Sequence, residues 1–497
     1  MIDAALEGMA MLFTIKSMLF MFLGISVGMV FGAIPGLSGQ TALAVLLPFV
    51  LGMEPVTAMA LLLGAHVAVE YAGSISAILI NTPGTGQAIA TCWDGYPMAQ
   101  KGEAARALSI SATSSALGGL FGFVVLVGFI PIMKITLMAL ASPEYFITAF
   151  VGLAFIVVLG GGSLIKALIS GGIGLMIAFI GLDPMTSVPR FTFGQLYLWD
   201  GISLIPIVVG LFAFPEVAML MAKGGSISRI ELKGSQWGLI WQGIKDTFQH
   251  WGILLQGSAV GAVIGVLPGL GGTVANLAAY GLAANTSKEK DQFGLGAVDG
   301  IIAPESANNS KEGGDLIPTI ALGIPGGAGM AILLGAFVMV GLTPGPDMLT
   351  AGLKYTFAIA WILAVANLLT TAIGLLFCAP IARLSFLPVY VLAPTIMAVC
   401  LVGAYLDGNE IENVFLAVGL GFLGYMMRRT GYPRAPLIIG VVLGGIVERY
   451  LHMSLKLYGG LFFLRPISMF LIAIIVLTIA APVIYRKRMK AAAGVTR

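Results

Sequence analysis

Apolar runs of membrane-spanning length recur from one end of this chain to the other. Ser17–Ile34, Val56–Ile80, Ala107–Met133, Ile135–Gly160, Gly201–Ala222, Trp251–Leu267, Leu316–Leu342, Tyr355–Cys378 and Ile467–Ile484 lie near or above the roughly 20 residues a helix needs to cross a bilayer. Shorter runs occupy Thr41–Gly52, Leu164–Leu182, Leu387–Leu406, Asn413–Met427 and Ala435–Val447. The 497 residues are 58% hydrophobic and only 10% charged, with mean hydropathy +0.99. A soluble domain carries about 25% charge, so this composition cannot cover a water-facing surface. The expected fold class is an all-α polytopic membrane protein of roughly 10–12 spans with some re-entrant pieces.

Charge orients the spans. Lys223, Arg229, Lys233 and Lys245 mark one loop as cytoplasmic, and the tail "YRKRMK" marks the C-terminus likewise. The N-terminal segment shows no cleavable signal peptide, and the first span is expected to act as its own insertion signal. The net charge of +3 singles out no charged partner, and no nucleic acid is expected. Cys92, Cys378 and Cys400 form no CxxC pair, and His66, His250 and His452 lack metal-ligand spacing, so neither a disulfide framework nor a zinc site is expected. There is no GxxxxGK[ST] phosphate loop, which excludes self-powering by ATP.

The chain repeats itself. "GISVGMVFGAIPGLSG" (Gly24–Gly39) aligns without gaps to "GSAVGAVIGVLPGLGG" (Gly257–Gly272), with 9 of 16 positions identical at an offset of 233. Each match is followed by a glutamate among small residues, Glu70 in "AVEYAGS" and Glu305 in "IAPESANN". Each then meets a second proline–glycine break, at Pro83 in "INTPGTG" and Pro325 in "LGIPGGAG". Three features in the same order read as a duplication. The expected organisation is a first membrane repeat over 1–222, a cytoplasmic connector over 223–250, a second repeat over 251–354, and C-terminal scaffold helices with a basic tail over 355–497. The halves are expected to be inverted repeats that move in an elevator-like way.

Proline removes a backbone donor and glycine opens conformations closed to other residues, so each break ends one helix and starts another. Lipid cannot satisfy the freed groups; protein or a water-filled cavity must. Half-helix N-termini aimed at an anion, with unwound carbonyls holding Na⁺, are how carriers use this geometry. The expected substrate-binding residues are Pro35, Gly36, Leu37, Ser38, Gly39 and Gln40 at the first break, and Asn81, Thr82, Pro83 and Gly84 at the second. Pro268, Gly269, Leu270, Gly271, Gly272 and Thr273 form the third, and Asn308, Asn309, Pro325 and Gly326 belong to the fourth. One proline–glycine pair alone would read as close helix packing; four in two matched pairs read as a site.

Glu70 lies inside an apolar run, where an ionisable group is costly and marks function by default. Ion coupling is the role weighed for it and for Glu305, against a structural or protonated glutamate. Lys311, Glu312 and Asp315 read as a solvated loop, Glu144 and Glu216 as structural groups near helix ends, and His66 as a packing residue. Trp199, Trp237, Trp241 and Trp251 suit the membrane interface. No basic side chain stands near any break in sequence, so an anion is expected to rely on amides, hydroxyls and a co-bound cation.

"EYAGSISAILINTPGTGQAIATCWDGYPMAQKGEAARALSISATSSALGG" resembles the large membrane subunit of the tripartite tricarboxylate transporters, most specifically in "DGYPMAQKG" (Asp94–Gly102). "GVLPGLGG", "APESANNS" and "GGDLIPTIALGIPG" resemble later family segments in order. The resemblance implies a secondary-active uptake system of the bacterial inner membrane, coupled to an ion gradient, Na⁺ above all. It implies di- or tricarboxylate substrates, a small membrane subunit of about four spans and a periplasmic solute-binding protein. No organic cofactor is implied. Thr85 and Gly86 follow "NTPG" where some relatives carry an acidic residue, which points away from citrate. A stand-alone carboxylate carrier is the alternative reading. An anion channel fits less well because it needs no matched, closable half-sites, and an intramembrane enzyme because Glu70 with Ser74 or Ser76 on one helix face has no His or Lys base beside it in the sequence.

Overall fold

A computed structural model describes residues 1–138, 140–159, 163–183, 185–223, 237–377, 380 and 389–494. Its helices in chain order are α1 (Ile2–Leu12), α2 (Ile15–Ala33), α3 (Gly39–Leu46), α4 (Pro55–Ile80), α5 (Ile89–Met98), α6 (Ala104–Met138), α7 (Ser142–Leu159) and α8 (Leu164–Ala178). A two-stranded antiparallel hairpin, β1 (Gly181–Leu182) and β2 (Pro189–Arg190), precedes α9 (Leu204–Val208) and α10 (Phe214–Lys223). The second half holds α11 (Trp237–Gln249), α12 (Trp251–Val266), α13 (Gly271–Thr286), α14 (Asp299–Leu322), α15 (Ala328–Met339), α16 (Pro346–Leu349) and α17 (Leu353–Leu376). The C-terminal part adds α18 (Val389–Leu406), α19 (Ile411–Thr430), α20 (Ala435–Tyr458) and α21 (Pro466–Gly494).

Six described helical stretches are long and apolar enough to cross a membrane, and six shorter apolar ones of 10–17 residues accompany them. The chain is therefore an all-α, multi-pass membrane protein. Two expected spans are divided. Leu316–Leu342 is broken after Leu322, where the fourth proline–glycine stop intervenes. Ile135–Gly160 is split because α6 runs on to Met138 before α7 begins. The polar run after the second break also differs from expectation: it coils into α5 and continues through a wide turn at Ala99–Glu103 into α6. Of the expected connector, 224–236, with Arg229 and Lys233, lies outside the described residues, as does Cys378. The remainder of the connector is helix α11, which buries Ile240, Gly243, Asp246 and Thr247 and exposes Trp237 and Trp241. Trp251 at the start of α12 is exposed too, the amphipathic arrangement suited to a membrane interface.

Two helices form the centre. α4 is enclosed by α2, α17 and α3, and α14 by α12, α6 and α13. Glycines bring these neighbours to backbone contact. In α2, Gly24, Gly28 and Gly32 lie on the backbone of Leu61, Ala65 and Val69 in α4. In α12, Gly257, Gly261 and Gly265 lie on Ala303, Ala307 and Lys311 in α14. α6 grips the other side of α14, with Gly118 on Ser306 and Gly122 on Ser310. Small residues four apart let helix backbones approach this closely. The consequence for α14 is that every residue from Asp299 to Ala321 is buried, including Lys311, Glu312 and Asp315. The expectation of a solvated loop there is overturned. A helix wrapped wholly in protein meets no lipid, so it can carry charge provided that its charges are paired.

The two packed pairs share one register. The glycines are related by the offset of 233 seen in the sequence, from Gly24 to Gly257, and the residues they touch by a constant 242, from Leu61 to Ala303, Ala65 to Ala307 and Val69 to Lys311. That same 242 carries the left-handed cap Asn81 (φ 52°) to the left-handed cap Gly323 (φ 67°), and Pro83 to Pro325.

A leucine at Gly28 would drive its side chain into the α4 backbone beside Ala65. We expect Gly28→Leu to cost at least about 1–3 kcal/mol, read as a lowered thermal midpoint of the detergent-solubilised protein. Gly128→Leu, on α6 where nothing lies within 4 Å, should leave the midpoint unchanged.

Candidate functional site

The first and third breaks are built alike. After α2, Ile34 turns extended and Gly36 adopts φ 95°; after α12, Leu267 turns extended and Gly269 adopts φ 87°. A side chain at either φ would strain against the backbone, which is why glycine stands there. Ser38 then caps α3, its hydroxyl accepting the Thr41 N–H at 3.3 Å. The second and fourth breaks end α4 and α14 in the left-handed caps Asn81 and Gly323.

The four breaks converge on the charged stretch of α4 and α14. Gly39 faces His66 and Glu70, Gly272 faces Lys311 and Gln87, Gly326 faces Asp315, and Gly329 faces the ring of His66. Gly269 N–H donates to the Gly326 carbonyl at 2.8 Å, tying the third break to the fourth. Asn276 Nδ2 donates to the Gln87 carbonyl at 2.8 Å, tying α13 to the second.

Charge in this cluster is dense and buried. His66 Nε2 lies 2.9 Å from a Glu312 carboxylate oxygen. Lys311 Nζ donates to Glu312 and, at 3.2 Å, to Asp315. The expected roles of His66 as mere packing, and of Lys311, Glu312 and Asp315 as solvated, are both corrected. So is the expectation that no cation stands near a break, since Lys311 packs against Gly272.

A cavity of about 440 Å³ opens beside the cluster. Gly36–Gln40 line it from the first break, Pro83–Gln87 from the second and Thr273 from the third, with Glu70 on one wall. The Glu216–Arg428 ion pair, from α10 and α19, lines it as well. Arg434 bonds the other Glu216 oxygen at 3.0 Å. Two guanidinium groups thus share one carboxylate, leaving net positive charge at this wall. Nothing in the local sequence of the breaks could announce Arg428, which comes from a helix nearly 400 positions after the first break. Thr85 Oγ1 and Gln87 Oε1 are buried without a hydrogen-bond partner among the described residues.

Other expected site residues stand elsewhere. Asn81 and Thr82 are exposed, and the Thr82 hydroxyl donates to the Ile80 carbonyl. Pro268, Gly269 and Leu270 form the turn before α13 and Gly271 opens that helix, none of them lining the cavity, and Pro325 and Gly326 are buried without lining it. Asn309 donates to Asn367 of α17 at 2.6 Å, a bond between helices. Asn308 Nδ2 donates to the Glu70 carbonyl at 3.3 Å. Glu305 has both oxygens occupied, one by the hydroxyls of Ser74 (2.6 Å) and Thr91, the other by Ser111 (2.9 Å) and Ser115 (3.0 Å). The packing register sets Glu312, not Glu305, opposite Glu70 in the comparison of the two helices; motif order alone tolerates a seven-residue slip that backbone contacts do not. Glu144 and Glu216 lie in first helical turns, near helix ends as expected; Glu144 is held by Arg465 (2.9 Å) and Ser468 (2.7 Å), whereas Glu216, expected to be structural, lines the cavity.

Asp94, within the most family-specific stretch, is a latch. One oxygen accepts the N–H groups of Gly294, Gly296 and Ala297 at 2.8–2.9 Å, and the other accepts the Tyr280 hydroxyl at 2.9 Å. It fastens α5 to the loop that leads into α14.

The chain is similar to an uncharacterised 52.8 kDa protein of Agrobacterium vitis encoded in the TAR-I ttuC′ 3′ region, at 33% identity over 91% of this chain and 90% of that protein. A second Agrobacterium vitis protein, from the TAR-II ttuC′ 3′ region, is 35% identical over 42% of this chain and 87% of its own length. No solved structure matches. Residues 18–439 match the tripartite tricarboxylate transporter TctA family. With that match spanning both packed helix pairs and the cavity between them, the chain belongs to the tripartite tricarboxylate transporter TctA family.

Proposed function

We propose that this chain is the large membrane subunit of a secondary-active carrier that brings organic di- or tricarboxylates across the bacterial inner membrane, coupled to the Na⁺ gradient. It works with a small membrane subunit and a periplasmic solute-binding protein, and its C-terminus is cytoplasmic. It is a carrier, not an enzyme. The observation that carries the reading is the cavity, where backbone from two helix breaks, a hydroxyl from a third and the Arg428–Glu216 pair face one volume. An anionic substrate meets helix N-termini and a guanidinium there; Glu70 on the same wall places a cation-binding carboxylate beside it. The shared packing register of α2 on α4 and α12 on α14 supports two copies of one unit, and alternating access follows from one copy moving against the rest.

Glu305 takes a different role in this scheme. Four hydroxyl donors from α4, α5 and α6 meet on one carboxylate, and its task is to hold these helices against α14.

Proteoliposomes with this chain and its small partner should accumulate citrate or a dicarboxylate only when the binding protein and an inward Na⁺ gradient are both present. Uptake indifferent to the binding protein would make the chain a stand-alone carrier; flux that merely follows the substrate gradient would make it a channel. Arg428→Gln should weaken the apparent substrate affinity roughly tenfold to a hundredfold, the equivalent of one charge-assisted hydrogen bond of about 1.5–3 kcal/mol, with Na⁺ dependence retained. Glu305→Ala should instead lower the thermal midpoint, by the equivalent of about 3 kcal/mol or more for buried hydroxyls stripped of their acceptor, before any effect on affinity is seen.

A further inference from the structure

Helices α4 and α14 carry the same short pattern at matched positions. His66-x-x-x-Glu70 and Asn308-x-x-x-Glu312 are related by the offset of 242 that also relates the glycine contacts. A spacing of four puts both members of each pair on one helix face. The two patterns meet. His66 contacts Glu312, Asn308 contacts the Glu70 backbone, and single ligand atoms of His66, Glu70 and Glu312 all lie within 4.8 Å of one another.

Counting charge shows what the arrangement lacks. Glu70, Glu312 and Asp315 bring three carboxylates; against them stand one fixed cation, Lys311, spent on Glu312 and Asp315, and His66, which faces Glu312 and adds a charge only when protonated. Even with that charge one negative charge is left over, and among the described residues no cation pairs with Glu70. All four of these side chains and His66 are at most 4% exposed, so water does not screen the excess, and an uncompensated buried carboxylate is costly.

Counting hydrogen bonds points the same way. Glu70 Oε2, Asn308 Oδ1 and His66 Nδ1 are buried and have no hydrogen-bond partner among the described residues. With Nε2 facing the Glu312 carboxylate, the His66 Nδ1 is a lone pair in the neutral imidazole and an N–H in the imidazolium. The Glu70 and Asn308 oxygens are acceptors in either form, and both lack a donor. A proton on Glu70 answers neither the remaining negative charge nor both oxygens together, whereas a metal cation answers all of these at once.

We propose that Glu70 and Glu312, with Asn308 and His66, form a Na⁺ site shared between the two copies of one helix. The carboxylates are the charged ligands and Asn308 Oδ1 is a neutral one. His66 orients Glu312 and, as a neutral imidazole, offers Nδ1. Because Glu70 also lines the cavity, the bound ion stands next to an anionic substrate and screens it from Glu70. Na⁺ as the occupant rests on the coupled-transport reading; the site itself rests on the geometry.

The test is Na⁺ binding without transport. The chain, purified with its small partner, is titrated with NaCl against choline chloride at constant ionic strength, and the thermal midpoint is followed. A saturable, Na⁺-specific rise is expected. Glu70→Gln and Glu312→Gln should each weaken the apparent Na⁺ affinity roughly tenfold or more, while Glu103→Gln, outside the site, should not. His66→Asn, which turns the first pattern into the second but removes the imidazole, should weaken Na⁺ binding less than either glutamine variant, and the wild-type titration keeps the proposal testable if a glutamine variant fails to fold. A wild-type midpoint that ignores Na⁺ but follows pH would put a proton in the site and overturn the proposal. So would folded glutamine variants with wild-type Na⁺ affinity, or a folded His66→Asn that weakens Na⁺ binding more than they do. Uptake that ignores Na⁺ while Na⁺ binding depends on Glu70 and Glu312 would sink the coupled-transport reading and still support the site.

Discussion

The complete enclosure of α14 is the condition on which everything else depends. Glycines from α12 on one side and α6 on the other bring backbones into contact with it, and no face is left for lipid. Only in that wrapping can a membrane protein hold Lys311, Glu312 and Asp315 on consecutive turns, since each would be prohibitive against hydrocarbon. The glycines thus do more than allow close packing. They exclude lipid from a helix whose composition is that of a loop, and they set the register that brings α4 and α14 together.

Buried acids divide by how completely their lone pairs are met. Asp94 accepts three amides and a phenol hydroxyl, and Glu305 accepts four hydroxyls. Glu144 and Glu216 are held by arginines. Each of these is saturated by groups of the protein, and each pins one helix to another. Among the described residues, Glu70 combines burial, an unmet oxygen and a place on the cavity wall. A group that the fold satisfies has structural work; a group that it leaves unsatisfied beside a cavity is available to a ligand.

Parts of this were readable from single residues. Glu70 within an apolar run, the φ-positive glycines after Pro35 and Pro268, and the helix-end positions of the glutamates beside Pro143 and Pro215 all rest on local chemistry that does not depend on neighbours far away. Sequence reasoning failed where polarity had to stand for exposure. "SKEGGDL" has the composition of a solvated segment, and hydropathy cannot tell a polar helix in water from one sealed in protein. His66 failed for the related reason that its partner, Glu312, is remote in sequence.

By itself, then, the sequence determined what depends on composition and on nearest neighbours along the chain. It required a helical membrane protein, placed four breaks where proline and glycine stop a helix, and carried two matching "PGL" segments 233 residues apart. Tertiary structure decided what depends on contact between distant segments. It set Arg428 on the cavity wall, closed protein around α14, and matched Glu70 with Glu312 instead of Glu305. Motif order survives insertions, so it fixes correspondence only to within a loop. Interlocked backbones admit no slip, because shifting α12 along α14 by one residue would drive side chains into the places where only glycine fits.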